Sequence, residues 1–269
     1  MPLSNLEYVS LRLVRRYLLS DSVLLRYGAY LPYYRTNRNQ SNPATLIDDY
    51  SRLLERRGWR ASDCRVLEVG VGRTNSTGYE MAARFGLRTL DAFEPFVELS
   101  SREDARFLRD VAARYGLEPE VLRRRVRRIA DLKALPAAGT DLILSNSVLE
   151  HVSDPRALFA DFRRLLRPGG AMLHLVDYRD HFFKYPFHFL QFRKSTWDRF
   201  LNPGDLPGWR LYDHAEQLEA AGFAVEILES TTDSRAYAAI APRVSPDYRK
   251  DDPRLQTCTA AIWAAVGPT

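Results

Sequence analysis

A chain of 269 residues with 45% apolar residues can bury one substantial core, which argues for one domain with appended segments over two independent domains. Its 39 basic and 34 acidic residues leave a formal charge of +5, too small an excess to point to a nucleic-acid partner by itself. No run of about 18 apolar residues is present, and the first residues lack the charged-then-apolar order of an export signal, so we expect a cytoplasmic protein with no membrane partner.

Apolar positions recur at helical spacing in residues 3–31, as Leu6, Val9, Leu13 and Tyr17 and then Val23, Leu24 and Tyr27, and predict one or two amphipathic helices ahead of the core. The polar, aromatic, turn-rich stretch 32–43 reads as a loop leading into a helix near Thr45 to Arg57. That loop is either a lid over a pocket or a plain surface connection. From Arg65 onward strands and helices alternate. Strands are expected at Val66 to Val69, Thr89 to Phe93, Val126 to Ala130, Leu142 to Ser145, Ala171 to Val176, Ala224 to Leu228 and Thr259 to Val266. Helices are expected at Ser76 to Phe85, Ser100 to Tyr115 and Pro155 to Leu166. Such alternation requires a parallel sheet covered on both faces, with ligands outside the carboxyl ends of the strands. The dense basic run Arg123 to Arg128 reads as a solvated surface rather than as its alternative, a phosphate-binding track. Cys64 and Cys258 lie far apart and lack the spacing of a metal knuckle, so no metal site is expected and a reduced compartment fits.

The most informative stretch is Val66-Leu-Glu-Val-Gly-Val-Gly72, a buried-strand pattern running into a glycine turn where the backbone can approach a ligand closely. After it come Thr89-Leu-Asp-Ala-Phe-Glu94, Ile129-Ala-Asp131, Asp141 to Asn146, Val148-Leu-Glu-His151 and Leu166-Arg-Pro-Gly-Gly170. This ordered set resembles the class I S-adenosylmethionine-dependent methyltransferases over about residues 60–230. The resemblance implies a doubly wound, mostly parallel seven-stranded sheet with helices on both faces and the last strand antiparallel. It also implies a helical or lid segment over 1–58 and a cofactor-binding domain over 59–269, with insertions at about 178–212 and 232–256. One departure is Arg73-Thr74, where many relatives carry a third glycine, so the loop should be stiffer.

The implied cofactor is S-adenosyl-L-methionine. A carboxylate at a strand end can accept both ribose hydroxyls, and Glu94 is the first choice, with Asp91 in the same strand as runner-up. The resemblance puts Asp131 at the adenine amino group, Leu132 against the ring, and Glu68 at the cationic amino group of the methionine portion. Gly70 and Gly72 would leave room, the following helix start would favour the carboxylate, and Asn146 would end the fourth strand where the methyl points.

Transfer from a sulfonium needs mainly that donor and acceptor be held in line a little over ~3 Å apart. An alcohol acceptor also needs a base, for which histidine is the natural candidate. His181, in Asp177-Tyr-Arg-Asp-His181 after the fifth strand, is the leading choice, with Asp180 or Asp177 either to orient it or to help a metal bind. His151 is either near the acceptor or structural, and His188 reads as a pocket-lining or core residue. Phe182, Phe183, Tyr185, Phe187, Phe189, Phe192 and Trp197 crowd one insertion and either line a site for a ring-shaped acceptor or glue the insertion to the core. A hydroxyl on a sugar or polyketide-like small molecule is the expected acceptor. Methylation of nitrogen or carbon in a small molecule, action on RNA, and a non-catalytic cofactor-binding protein are the alternatives. Asn146-Ser-Val-Leu149 stands where DNA amino-methylating enzymes of this fold carry an Asn/Asp-Pro-Pro-aromatic tetrad, which argues against that reaction. The sequence does not set the oligomeric state.

Overall fold

The structure, a computed structural model, describes residues 3–19, 43–180, 185–202 and 206–267. The expected helix around Val23 to Tyr27 and the loop at 32–42 lie outside the described residues. In chain order the α-helices of five or more residues among the described residues are α1 (Leu3–Tyr17), α2 (Pro43–Arg56), α3 (Ser76–Phe85), α4 (Ser101–Tyr115), α5 (Pro119–Arg125), α6 (Pro155–Leu165), α7 (Leu211–Ala220) and α8 (Ser234–Ala238). The strands are β1 (Arg65–Val69), β2 (Thr89–Phe93), β3 (Val126–Ile129), β4 (Thr140–Asn146), β5 (Leu166–Asp177), β6 (Phe223–Thr232) and β7 (Thr257–Val266).

The seven strands form one sheet in the order β3-β2-β1-β4-β5-β7-β6. The first five run parallel, and β7 is antiparallel to both β5 and β6, as expected. The winding reverses between β1 and β4, and the crevice at such a switch point is where a parallel sheet receives its ligand. β1 is buried on both faces, and apolar there apart from Glu68, because both are covered. Val66, with Leu90, Ala92, Leu142 and Leu144, packs against α2, α3 and α4. Leu67 and Val69, with Ile143 and Met172, pack against α6 and α7. Each fully buried Leu or Phe in these two layers contributes about 1.5–3 kcal/mol through area removed from water. Leu46, Ile47, Tyr50, Leu53 and Leu54 place α2 inside the first layer, so residue 58 is not a packing boundary.

Two strands are longer than their patterns suggest. β5 begins at Leu166 and runs through Arg167-Pro-Gly-Gly170, with a register shift between Thr140 and Leu142 on its partner. The glycines permit this: a Cβ on Gly170 would lie 2.9 Å from the Arg167 carbonyl oxygen. A motif that reads as a turn is therefore a bulge inside the strand. β6 runs on through Glu229 to Thr232 with two register shifts, and as an edge strand it tolerates polar residues on both sides.

A third apolar cluster sits apart from the sheet. Tyr8 from α1, Tyr185, Phe187, Phe189 and Trp197 from the insertion after β5, and Tyr237, Ile240 and Tyr248 from the segment after β6 pack together. The two insertions and α1 thus form one annex. Its centre holds Arg210, fully buried, which donates to the carbonyls of Tyr178, Leu255 and Thr257 and lies over the rings of Tyr178, Phe187 and Phe189.

Candidate active site

Glu68 is the fourth residue of the central strand, aligned with Ala92 and Leu144 on the face covered by α2 and α3. It is buried, and Oε2 has no hydrogen-bond partner. Burial pushes its pKa up to about 7, against the opposing effect of a hydrogen bond from Thr77. A buried carboxyl left in this state is costly unless a donor or cation arrives. The strand ends on Gly70, at φ 78°, where a Cβ would lie 2.4 Å from Cγ2 of Val148. Gly72 follows at φ 66°. Both positions lie in the left-handed region, and Gly70 has no space for a side chain.

Glu94, immediately after β2, ties this loop down. One carboxylate oxygen accepts the Gly72 N–H at 2.9 Å, and the other accepts from Phe96 N at 3.1 Å and Val97 N at 3.3 Å. Arg128 completes the tie, donating to the carbonyls of Gly72 at 2.6 Å and Val97 at 2.7 Å and to Oδ1 of Asn75 at 3.2 Å. This corrects the reading of the whole Arg123 to Arg128 run as solvated surface: register aligns Arg128 with Ala92, and Ala92 with Glu68, so its side chain points to the loop. Where a third glycine was missing, Thr74 is buried and its hydroxyl donates to Ser76 Oγ at 3.1 Å.

Asp91 does not join this group. It aligns with Leu67, on the opposite face from Glu68, and is paired with Arg127 at 2.7 Å. Glu94 is the acid at the strand end beside the glycine loop. Asp131 is exposed and caps the turn Leu132–Ala134 by accepting from Lys133 N at 2.9 Å. The Leu132 side chain belongs to the second core layer.

Two clefts open at the carboxyl ends of β1 and β4. The first, about 550 Å³, is walled by Glu68 to Gly72, by Thr74, Ser76 and Thr77 leading into α3, and by Pro43 and Leu46 of α2. The second, about 710 Å³, is walled by Asp49 and Arg52 of α2, Ser147, the end of β5 through Asp177, Glu229 to Thr231 of β6, and Thr259 to Ala261 of β7. Asn146 lines both. Within the second cleft Arg52 is forked onto Glu229, with Nη2 to Oε2 at 2.9 Å, and the hydroxyls of Thr231 and Thr259 are 2.6 Å apart.

Neither cleft is lined by an aromatic side chain among the described residues. Of the two readings of the aromatic stretch, the structure shows glue: Tyr185, Phe187, Phe189 and Trp197 are buried in the annex core, and Phe192 packs against it. Phe182 and Phe183 lie outside the described residues. So does His181. The carboxylate of Asp180, expected to orient His181, is fully buried and meets the Arg12 guanidinium and the Tyr8 hydroxyl of α1. It is an anchor of the annex, because both partners come from a helix some 170 residues upstream in the chain. The His188 ring packs at a tilt against Tyr185 and Tyr8, with centroids at 4.3 and 5.4 Å, and burial lowers its pKa to about 4. His151 is half-buried on the turn Leu149–His151 that follows β4.

Three buried groups escaped the sequence reading. His174 bonds Ser145 Oγ at 2.7 Å and His214 bonds the Tyr178 hydroxyl at 2.8 Å, both fully buried, and burial lowers each pKa to about 3. They are neutral core residues. Glu150 is different: Oε1 accepts the Asp177 N–H at 3.2 Å, Oε2 is buried without a partner, and burial raises its pKa to about 8 with help from the Asp177 charge. Its signal was the Leu-Glu-His motif, in which the histidine drew the attention.

Comparison with known proteins agrees with this geometry. A family model described as a methyltransferase domain matches residues 34–227. The ubiquinone biosynthesis O-methyltransferase of Xanthomonas oryzae pv. oryzae is 34% identical over 132 residues, covering 49% of this chain and 48% of that protein. The malonyl-[acyl-carrier protein] O-methyltransferase of Hahella chejuensis is 45% identical over 47 residues, 17% of each chain. The chain thus spans about half or less of the curated relatives it matches. Among solved structures, phosphoethanolamine N-methyltransferase 2 of Haemonchus contortus, in complex with S-adenosyl-L-methionine, superposes with a TM-score of 0.53 at 16% identity, over 95% of this chain and 59% of that one.

Proposed function

The chain belongs to the methyltransferase-domain family, among the class I S-adenosylmethionine-dependent enzymes, and from that premise we propose that it methylates a hydroxyl of a small polar molecule seated in the second cleft. The observation that carries this reading is the second cleft itself. It adjoins the first at Asn146, and its walls present Asp49, Arg52, Asp177, Glu229, Thr231 and Thr259 without an aromatic ring among the described residues. A hydroxyl-rich acceptor such as a saccharide finds donors and acceptors on those walls, whereas a flat apolar ring finds none of the stacking it needs. The curated relatives are O-methyltransferases by name, which supports oxygen as the acceptor atom.

The residues of the first cleft fit S-adenosylmethionine. The partnerless Oε2 of Glu68 suits a cationic amino group, and the space that Gly70 keeps clear suits a ligand approaching the backbone. The start of α3 suits a carboxylate. Glu94 would hold the ribose and Asp131 the adenine amino group, with Leu132 beside it. When bound, the cofactor supplies an electrophilic methyl on sulfur. The work left to the protein is to hold the acceptor oxygen in line, which can supply several kcal/mol, and to take its proton. Asn146, common to both clefts, is placed to position the acceptor. His181, the first candidate for the base, lies outside the described residues; His151, five residues beyond Asn146 on the turn after β4, lines neither cleft and is the base we assign for test among the described residues.

The test is transfer of a labelled methyl group from S-adenosylmethionine to a panel of hydroxylated, amino and aromatic small molecules, alongside thermal-shift titration with the cofactor. Labelling confined to hydroxylated compounds supports the reading. Labelling of amines alone, or no stabilisation at saturating cofactor, rejects it.

A further inference from the structure

α1 packs on the annex by one face and leaves a second, apolar stripe outside it. The stripe it turns inward is Asn5, Tyr8 and Arg12, all buried. Its partners there are both aromatic and polar: the Tyr8 ring meets Tyr185 edge-on and stacks on Phe192, and Val9 and Leu11 pack against the same cluster. Asn5 and Gln191 exchange two side-chain hydrogen bonds at 3.1 and 3.3 Å, and Tyr8 and Arg12 meet Asp180. The stripe it turns outward is Leu6, Leu13 and Tyr17, spaced i, i+7 and i+11, with Leu18 just past the helix end. These four are between 38% and 73% exposed.

The apolar surface continues onto the neighbouring turn. Arg16 donates to the carbonyl of Asp198 at 2.9 Å and to that of Asn202, and Arg12 lies 4.9 Å from the Trp197 ring, so the second half of α1 runs along Trp197–Leu201. In that turn Phe200 is 45% exposed. Both exposed rings carry a guanidinium: Arg16 lies over Tyr17 at 5.6 Å and Arg199 over Phe200 at 5.1 Å.

We propose that this face docks on an anionic lipid bilayer. Leucines and rings on one side of a short helix sink to the boundary between headgroups and acyl chains, and arginines beside the rings meet the phosphates. Water is a poor partner for such a face, which holds Leu6, Leu13, Tyr17, Leu18 and Phe200 outside the annex core. A second copy of the chain is a worse fit than lipid. Two-fold pairing through the same patch brings Arg16 and Arg199 of one protomer toward those of the other, and Glu7, the acid of α1, is engaged by the Tyr185 hydroxyl. The excess of basic residues in the whole chain acts in the same direction. No helix of the described residues is long and apolar enough to cross a membrane, and a docked α1 does not need to, because it lies in the plane of the surface. The expectation of no membrane partner rested on spanning segments alone. The proposal is independent of what the clefts bind.

Flotation of the full chain with vesicles tests it, comparing phosphatidylcholine alone with phosphatidylcholine containing roughly one third phosphatidylglycerol. We expect binding to the anionic vesicles, weakening as salt is raised, and at least a ~10-fold loss for the double variant Leu13→Ser, Leu18→Ser with its thermal stability retained. Arg199→Glu, an exposed change that leaves the packing alone, should also weaken binding and covers the case in which the double variant misfolds. Failure to float with either vesicle, or flotation that neither variant reduces, overturns the proposal. A dimer seen by light scattering that the double variant dissolves overturns it in favour of a second copy.

Discussion

The sheet crevice and the annex are built from the same kinds of residue and treat them in opposite ways. In the annex, charged groups are buried with partners: Asp180 meets Arg12 and Tyr8, and Arg210 has three carbonyls and three rings around it. Glu68 at the crevice and Glu150 on the turn after β4 are buried with one oxygen each left without a partner. A buried carboxylate that the fold pairs is architecture, and one left with an unpartnered oxygen is a candidate place for a ligand. The histidines divide by burial instead: His174, His188 and His214 are neutral core residues, while His151 is half-buried on the turn after β4.

This contrast can be broken by experiment. The largest effect belongs to the annex: Arg12→Ala should cost about 3–5 kcal/mol in denaturant unfolding, because it strands a buried carboxylate, with little change in cofactor affinity for the molecules that remain folded. An equal loss of cofactor affinity would mean that the annex is part of the site. At the crevice the sign of a pH dependence decides. The pKa of Glu68 is raised above that of the unfolded chain, so the folded state binds the extra proton. Its contribution to stability is greatest below the unfolded value of 4.5 and falls as pH rises toward about 7, by about 3 kcal/mol in all. Glu150 adds a fall of the same sign reaching to about 8. Glu68→Gln should flatten the slope between these limits in the cofactor-free protein and weaken cofactor binding. A slope unchanged by the substitution would show that Glu68 already has a partner.

A smaller effect is expected at the assigned base. His151→Ala should slow transfer by roughly 100-fold with the cofactor Kd unchanged, and unaltered turnover would pass the role to His181 or Glu150. Smallest is Gly70→Ala, which forces a side chain into a left-handed position against Val148 and should destabilise by about 1–3 kcal/mol. A variant as stable as the parent would mean that the loop has room to shift.

The fold was legible because the central strands are apolar on both faces, a pattern few other arrangements produce. β2 falls where its residues predict, and β1 and β4 come within a residue or two at each end. The extension of β5 was hidden by Pro-Gly-Gly, which reads as punctuation whether the chain turns or bulges. The glycine loop and Glu94 were legible as a local pattern, but the choice between Glu94 and Asp91 was not, because it depends on which way each residue of β2 faces. Least legible were contacts made across the whole chain. Nothing near Asp180 announces Arg12, and the aromatic stretch has the same composition whether its rings line a pocket or fill a core.

Asn146 has one further consequence. If the two proposed occupants both touch its side chain, which adopts one rotamer at a time, an occupant on either side that selects that rotamer selects it for its neighbour as well. Thermodynamic linkage would then have donor and acceptor alter each other's affinity by the same factor.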